Sequence, residues 1–267
     1  MIRAFLPFSF AFMICGLVTT GPPTAEELAL SLLDSEAMCI LGGLKPISDG
    51  FWQTRFRADQ TTTDDIQSVR ATLRSLPLGP HLEAGVYVFE KPYQGKKTAS
   101  VYILHRPSFA ALVKRRCDVF RPLGIEWDLS GQQDMERIDR AERSARWRAF
   151  GLVFGYPEYA VEFFVTAGES EAKTSQFTDR DFRAIPTVSS GRGRFVYAVP
   201  RGHQDRTEDL DLALRAGMVF DRYIAHRNRF IGPGFAGPME LLQAMVSAPS
   251  SVCSCETNRS RGLCRSR

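Results

Sequence analysis

Catalytic signatures are the first thing this chain lacks. It holds no Gly-x-Ser-x-Gly elbow, no His-Glu-x-x-His, no Walker A loop and no Cys-x-x-Cys, the short motifs that mark many serine hydrolases, zinc proteases, P-loop proteins and dithiol oxidoreductases. Histidine is scarce. His81, His105, His203 and His226 are the four, and no two share a spacing that places paired ligands on one helix or strand face. Pairing His203 with Asp205 would need further ligands from the fold, so no metal and no cofactor is assigned. Ser170-Glu-Ala-Lys173 has the Ser-x-x-Lys spacing, but it follows a glycine that reads as a helix end, and the companion Ser-Asp-Asn and Lys-Thr-Gly elements are missing. We read it as a chance match in a polar loop.

Lysine is scarce too, with six among 34 basic residues. The formal net charge of +4 is small for 267 residues, and it does not by itself imply a nucleic-acid partner. Only one long apolar run occurs, Phe5 to Val18, inside an uncharged stretch from Ala4 to Ala25. Its length suits the apolar region of a signal peptide and is short for a membrane span. Residues 1–23 therefore read as a signal peptide or an uncleaved N-terminal anchor, ahead of a third reading as a buried helix. The protein is expected to be exported, periplasmic or secreted, touching a membrane only through that segment if it is retained. Cys15 follows Ile14 where a lipoprotein would need a small residue.

What the chain does have is a run of amphipathic helices and two hairpins. Thr24-Ala-Glu-Glu27 opens a helix through a capping box, and a second helix is expected after Thr63. Gly85–Phe89 and Thr98–His105 are rich in Val, Tyr and Ile and read as a hairpin, as do Ile185–Ser189 and Arg194–Val199 around Ser190-Gly-Arg-Gly193. Lys45 to Trp52 reads as a turn-rich connector. Pro107-Ser108 starts another helix, and the last long one follows Asp205, with Leu210, Ala213, Leu214, Gly217, Phe220 and Ile224 as its apolar stripe.

The centre of the chain carries the strongest helix signals. Ser130 with Gln133 forms a second capping box, and Met135, Ile138, Ala145, Ala149 and Leu152 recur at three- and four-residue steps. Opposite them, Glu136–Arg140, Asp139–Arg143 and Glu142–Arg146 are acid-before-base pairs at i,i+4, the mark of a solvated face. Gly155-Tyr156-Pro157 breaks this helix, and a second runs from Pro157 to Ala167 with Gly168 as its cap. Gly151 and Gly155 are read as admitting a packed neighbour.

The fold class is therefore α+β: an antiparallel sheet from two β-hairpins packed with several amphipathic helices in one main domain, residues 24–248. Residues 249–267, rich in Ser, Cys and Arg, read as a disordered tail. In it Cys253, Cys255 and Cys264 are expected as one disulfide or free thiols, since four nearby arginines oppose a bound Cu(I) or Zn. The pairing of these three with Cys39 and Cys117 is left open. A helix break exposes backbone groups, so binding candidates cluster there: Arg148, Tyr156, Glu158, Tyr159 and Glu162. The function expected is non-catalytic binding of a protein, glycan or envelope ligand, without nucleic acid. The alternative is an exported hydrolase built from scattered Glu, Asp, His and Arg, with a histidine near Ser189, Ser190 or Glu158.

Overall fold

A central strand buried on both sides organises the molecule. In a computed structural model, which describes residues 21–35, 37–126, 130–187, 195–234 and 236–247, strand β3 (Lys96–His105) lies between β1 (Ile47–Arg57) and β2 (Leu82–Val88), antiparallel to both. Residues Ala99 to Leu104 are buried in succession, as a continuous apolar run requires. Val86, Ala99, Val101 and Ile103 face one core, and Tyr87, Tyr102 and Leu104 face a second.

The first core gathers α1 (Ala25–Leu33), α2 (Met38–Leu41), α3 (Asp64–Leu73), the long α9 (Thr207–Phe230) and α10 (Pro238–Ser247). The second gathers α4 (Arg106–Arg115), α5 (Cys117–Phe120), α6 (Gly131–Arg140), α7 (Arg143–Val153) and α8 (Glu158–Thr174). Strands β4 (Arg180–Ala184) and β5 (Val196–Pro200) form a separate two-stranded antiparallel sheet, so the two hairpins do not share one sheet. The architecture is α+β, with antiparallel sheets and helices in one domain. The signal segment before residue 21, the hairpin tip at 188–194 with Ser189 and Ser190, and the cysteine-bearing tail lie outside the described residues.

Four further sequence expectations change. The connector at Lys45–Trp52 is in fact the start of β1, because Asp49-Gly50 is a bulge and not a turn: Gly50 has φ +82° and the register with β3 shifts between Asp49 and Gln53. The Ser130 helix is two helices. Glu142 caps α7 by accepting from the Ser144 N–H at 3.3 Å, and Ala141 is extended. Of the three i,i+4 pairs only Glu136–Arg140 forms, at 3.2 Å. Asp139 instead accepts from the Glu90 N–H at 2.7 Å, and Ser130 makes no side-chain cap. Helix α8 continues through Gly168 to Thr174, and the glycine serves packing rather than capping, since a Cβ at 168 would sit 2.4 Å from the Trp147 ring. Ser170 and Lys173 are thus on a helix. Finally, α9 is rotated: Leu212, Ala216, Val219 and Tyr223 are buried, while Leu210 and Leu214 are 58% and 67% exposed. Both faces of this helix carry aliphatic residues, so periodicity alone does not select the buried one.

The rest of the expected core is largely in place. Ile138, Ala149, Leu152, Val86, Val101 and Ile103 are buried, and Ala145, Phe163, Val88, Val196 and Phe220 are half-buried.

Candidate functional site

The helix break is built by close backbone approach. Gly155 has φ +77°, and a Cβ there would lie 3.0 Å from the Leu44 carbonyl oxygen and 3.2 Å from the Lys45 Cα. One turn earlier, a Cβ at Gly151 would lie 2.7 Å from Val161. Both glycines admit packed neighbours.

The five sequence candidates fall into two groups around this turn. Arg148 on α7 grips Glu162 on α8 through two hydrogen bonds of 2.8 and 2.9 Å. Glu158, in the first turn of α8, accepts from Arg116 at 3.0 Å and lies 3.7 Å from Arg115. An acid there also suits the electropositive helix end. Arg148 is held above its ordinary pKa first by the Glu162 hydrogen bond. Tyr156 and Tyr159 are half-buried. The Tyr156 ring lies 5.7 Å from Phe195 and 6.1 Å from Tyr197.

Tyr159 belongs to a polar cluster that sequence reasoning did not assemble. Asp209, 5% exposed in the first turn of α9, accepts from the hydroxyls of Tyr159 and Tyr197 and from the Arg206 N–H at 2.8 Å. The His203 Nε2 lies 2.9 Å from Asp209 and 3.1 Å from the Tyr159 oxygen. An ionised carboxylate only accepts, so Nε2 carries the proton. Arg206 covers the Tyr159 ring at 4.0 Å. Burial pushes the Asp209 carboxyl up, but hydrogen bonds from Tyr159, Tyr197 and His203 outweigh it and hold the group well below the usual carboxylate range. Burial and the same carboxylate push Tyr159 and Tyr197 up.

The fold does bring a third potential ligand, Asp209, to His203 and Asp205. One atom each of His203, Asp205 and Asp209 lie within 4.8 Å of one another. Two of the three are already engaged: Asp205 pairs with Arg183 through one oxygen and Asp209 holds four donors. A cation would have to displace these and sit beside Arg183 and Arg206.

Lys45 was read as part of a loop, yet its side chain is fully buried. Its Nζ is 3.4 Å from the Ser48 Oγ and lies over the rings of Phe154 and Phe195 at 5.5 and 4.7 Å. A serine beside a buried lysine has the composition of a nucleophile and base, but both residues are sealed from solvent. Gly232-Pro-Gly234-Phe-Ala-Gly237 carries the spacing of a dinucleotide-binding turn. That turn needs a strand before it and a helix N-terminus at the pyrophosphate, and here α9 precedes it.

Exposed aromatic residues occur away from Tyr156. On the outer face of the small sheet Phe182 is 60% exposed, beside Ala184, Val196, Ala198 and Pro200. Phe177, 66% exposed, lies under Arg180 at 4.4 Å. Phe164 on α8 makes an edge contact with Trp147 at 5.4 Å. A cleft of about 230 Å³ opens elsewhere, between α3, β2 and the start of α6, and no residue of α7 or α8 lines it.

No protein-family model, curated protein or solved structure matches this chain.

Proposed function

We propose that the protein is an exported, non-catalytic binding domain that holds a protein partner on the outer face of the β4–β5 sheet. The observation that carries this reading is the exposure of Phe177 and Phe182. Burying a ring of that size contributes about 1.5–3 kcal/mol, and two such rings left in water five residues apart in the chain are the kind of exposed apolar surface that marks an interaction site. The aliphatic neighbours Ala184, Val196 and Pro200 favour a protein surface over a sugar. β4 has no second strand neighbour among the described residues, and such edges accept extended segments. Export draws support from Cys117, which is disulfide-bonded, as suits an oxidising compartment. No helix among the described residues is long and apolar enough to cross a membrane.

A photo-crosslinking residue at Phe182 should capture one discrete protein from an envelope or secreted fraction of the native cells, and the same residue at exposed Ala172 on α8 should not. The Phe177→Ser/Phe182→Ser double variant should keep its circular dichroism spectrum and lose that partner. Capture of glycan alone, or of nothing, would sink the assignment.

A second reading, an exported hydrolase, has one observation in its favour: the His203–Asp209–Tyr159 contacts place a base, a carboxylate and a hydroxyl together. Turnover of a chromogenic ester, phosphate or glycoside that disappears in His203→Ala would decide for it.

A further inference from the structure

Several groups of arginines in this molecule meet carboxylates. Arg115 and Arg116 engage Glu158, Arg148 engages Glu162, Arg180 engages Glu171 and Arg183 engages Asp205. Arg70 and Arg74 depart from that pattern. Arg70 in the last turn of α3 and Arg74 at its C-cap stand one turn apart, where like charges repel by a few tenths of a kcal/mol. Arg70 reaches only the Val86 carbonyl oxygen, at 3.5 Å, and Arg74 has no hydrogen bond or ion pair among the described residues. Both line the 230 Å³ cleft.

The acid that shares this cleft does not answer them. Glu83 accepts from the Tyr102 hydroxyl at 2.7 Å through one oxygen and pairs with Arg106 through the other. With its charge met by Arg106, the cleft keeps the two positive charges of Arg70 and Arg74. Ser130 adds a hydroxyl that makes no capping bond in its own helix. Tyr102, Gln132 and the small residues Ala84 to Val86 of β2 complete the lining, so the basic groups border an open concavity rather than a flat face.

We infer that this cleft binds a small oxyanion, a carboxylate or phosphoryl group, through Arg70 and Arg74. Guanidinium forks match two-oxygen acceptors, and such charge-assisted pairs are among the stronger hydrogen bonds in proteins. The site is separate from the outer face of β4–β5 and does not depend on what docks there.

Isothermal titration of the intact protein at low ionic strength, with inorganic phosphate and separately with succinate, tests this. Saturable one-site binding of at least one anion is expected. Arg74→Ala, at an exposed position, should weaken it about tenfold or more, and the Arg70→Ala/Arg74→Ala variant should abolish it. Arg70→Lys, which keeps the charge and loses the fork, should fall between. Arg121→Ala, at an exposed arginine outside the cleft, should bind as the parent does. Preference for phosphate assigns a phosphoryl ligand, and preference for succinate a carboxylate. Absence of saturable binding by both anions, or undiminished affinity in Arg74→Ala, overturns the inference.

Discussion

Five of the seven tyrosines donate to a carboxylate: Tyr87 to Asp49, Tyr102 to Glu83, Tyr159 and Tyr197 to Asp209, and Tyr223 to Asp34. Each acid is thereby kept inside or at the edge of the core with its lone pairs satisfied. Asp209 is the extreme case, and its low pKa makes a stability statement. A carboxyl whose pKa is depressed on folding contributes stability above its unfolded value, near 4, and that contribution is lost as the pH falls below it. Asp209→Asn should therefore lower stability by about 2–4 kcal/mol at neutral pH. It should also lose part of the parent's decline between about pH 5 and pH 2. Urea unfolding at a series of pH values checks both, and a variant with the parent's acid sensitivity would contradict the account. These pairs were not legible in the sequence. The partners lie 38, 19, 50, 12 and 189 residues apart, and nothing local in a Tyr or an Asp announces such a contact.

Among the elements, what was legible was local. The Thr24 capping box forms as expected, with hydrogen bonds of 2.8 and 3.2 Å. The β2–β3 hairpin is where the Val- and Tyr-rich runs put it, and the break at Gly155-Tyr156-Pro157 separates α7 from α8. What failed did so where one pattern served two structures. Asp49-Gly50 has turn chemistry inside a strand, and α9 has aliphatic residues on two faces. Of the candidate site, the sequence marked the turn but not the partners of its charges, because Arg116 lies 42 residues before Glu158. Two glycines make the difference between a required and an incidental glycine measurable. Gly155→Ala forces a side chain into positive φ and against the Leu44 carbonyl, at a cost of about 1–3 kcal/mol. Gly217→Ala, within α9 and with nothing inside 4 Å of the new Cβ, should instead stabilise by about 0.5–1 kcal/mol. Thermal melts of the two variants should move in opposite directions; movement the same way would mean that one of the two backbones is misdescribed.

At the scale of the whole molecule, the three-stranded sheet separates two apolar clusters that share few side chains. Tyr156 is the only partly buried residue, among those described, packed against both. The turn first singled out as a binding surface is thus also a joint. The cores also share β3, whose alternate side chains enter one or the other, and the ring at the joint is expected to add to the coupling between them. Nature has placed a fluorophore on each side: Trp52 packs on the first cluster and Trp147 on the second. In urea, single-tryptophan versions of the parent should report coincident transitions. In Tyr156→Ala they should separate, with the fitted slope against denaturant falling below the parent's, because each core then exposes only its own surface. Coincident transitions in that variant would show that the sheet alone couples the cores.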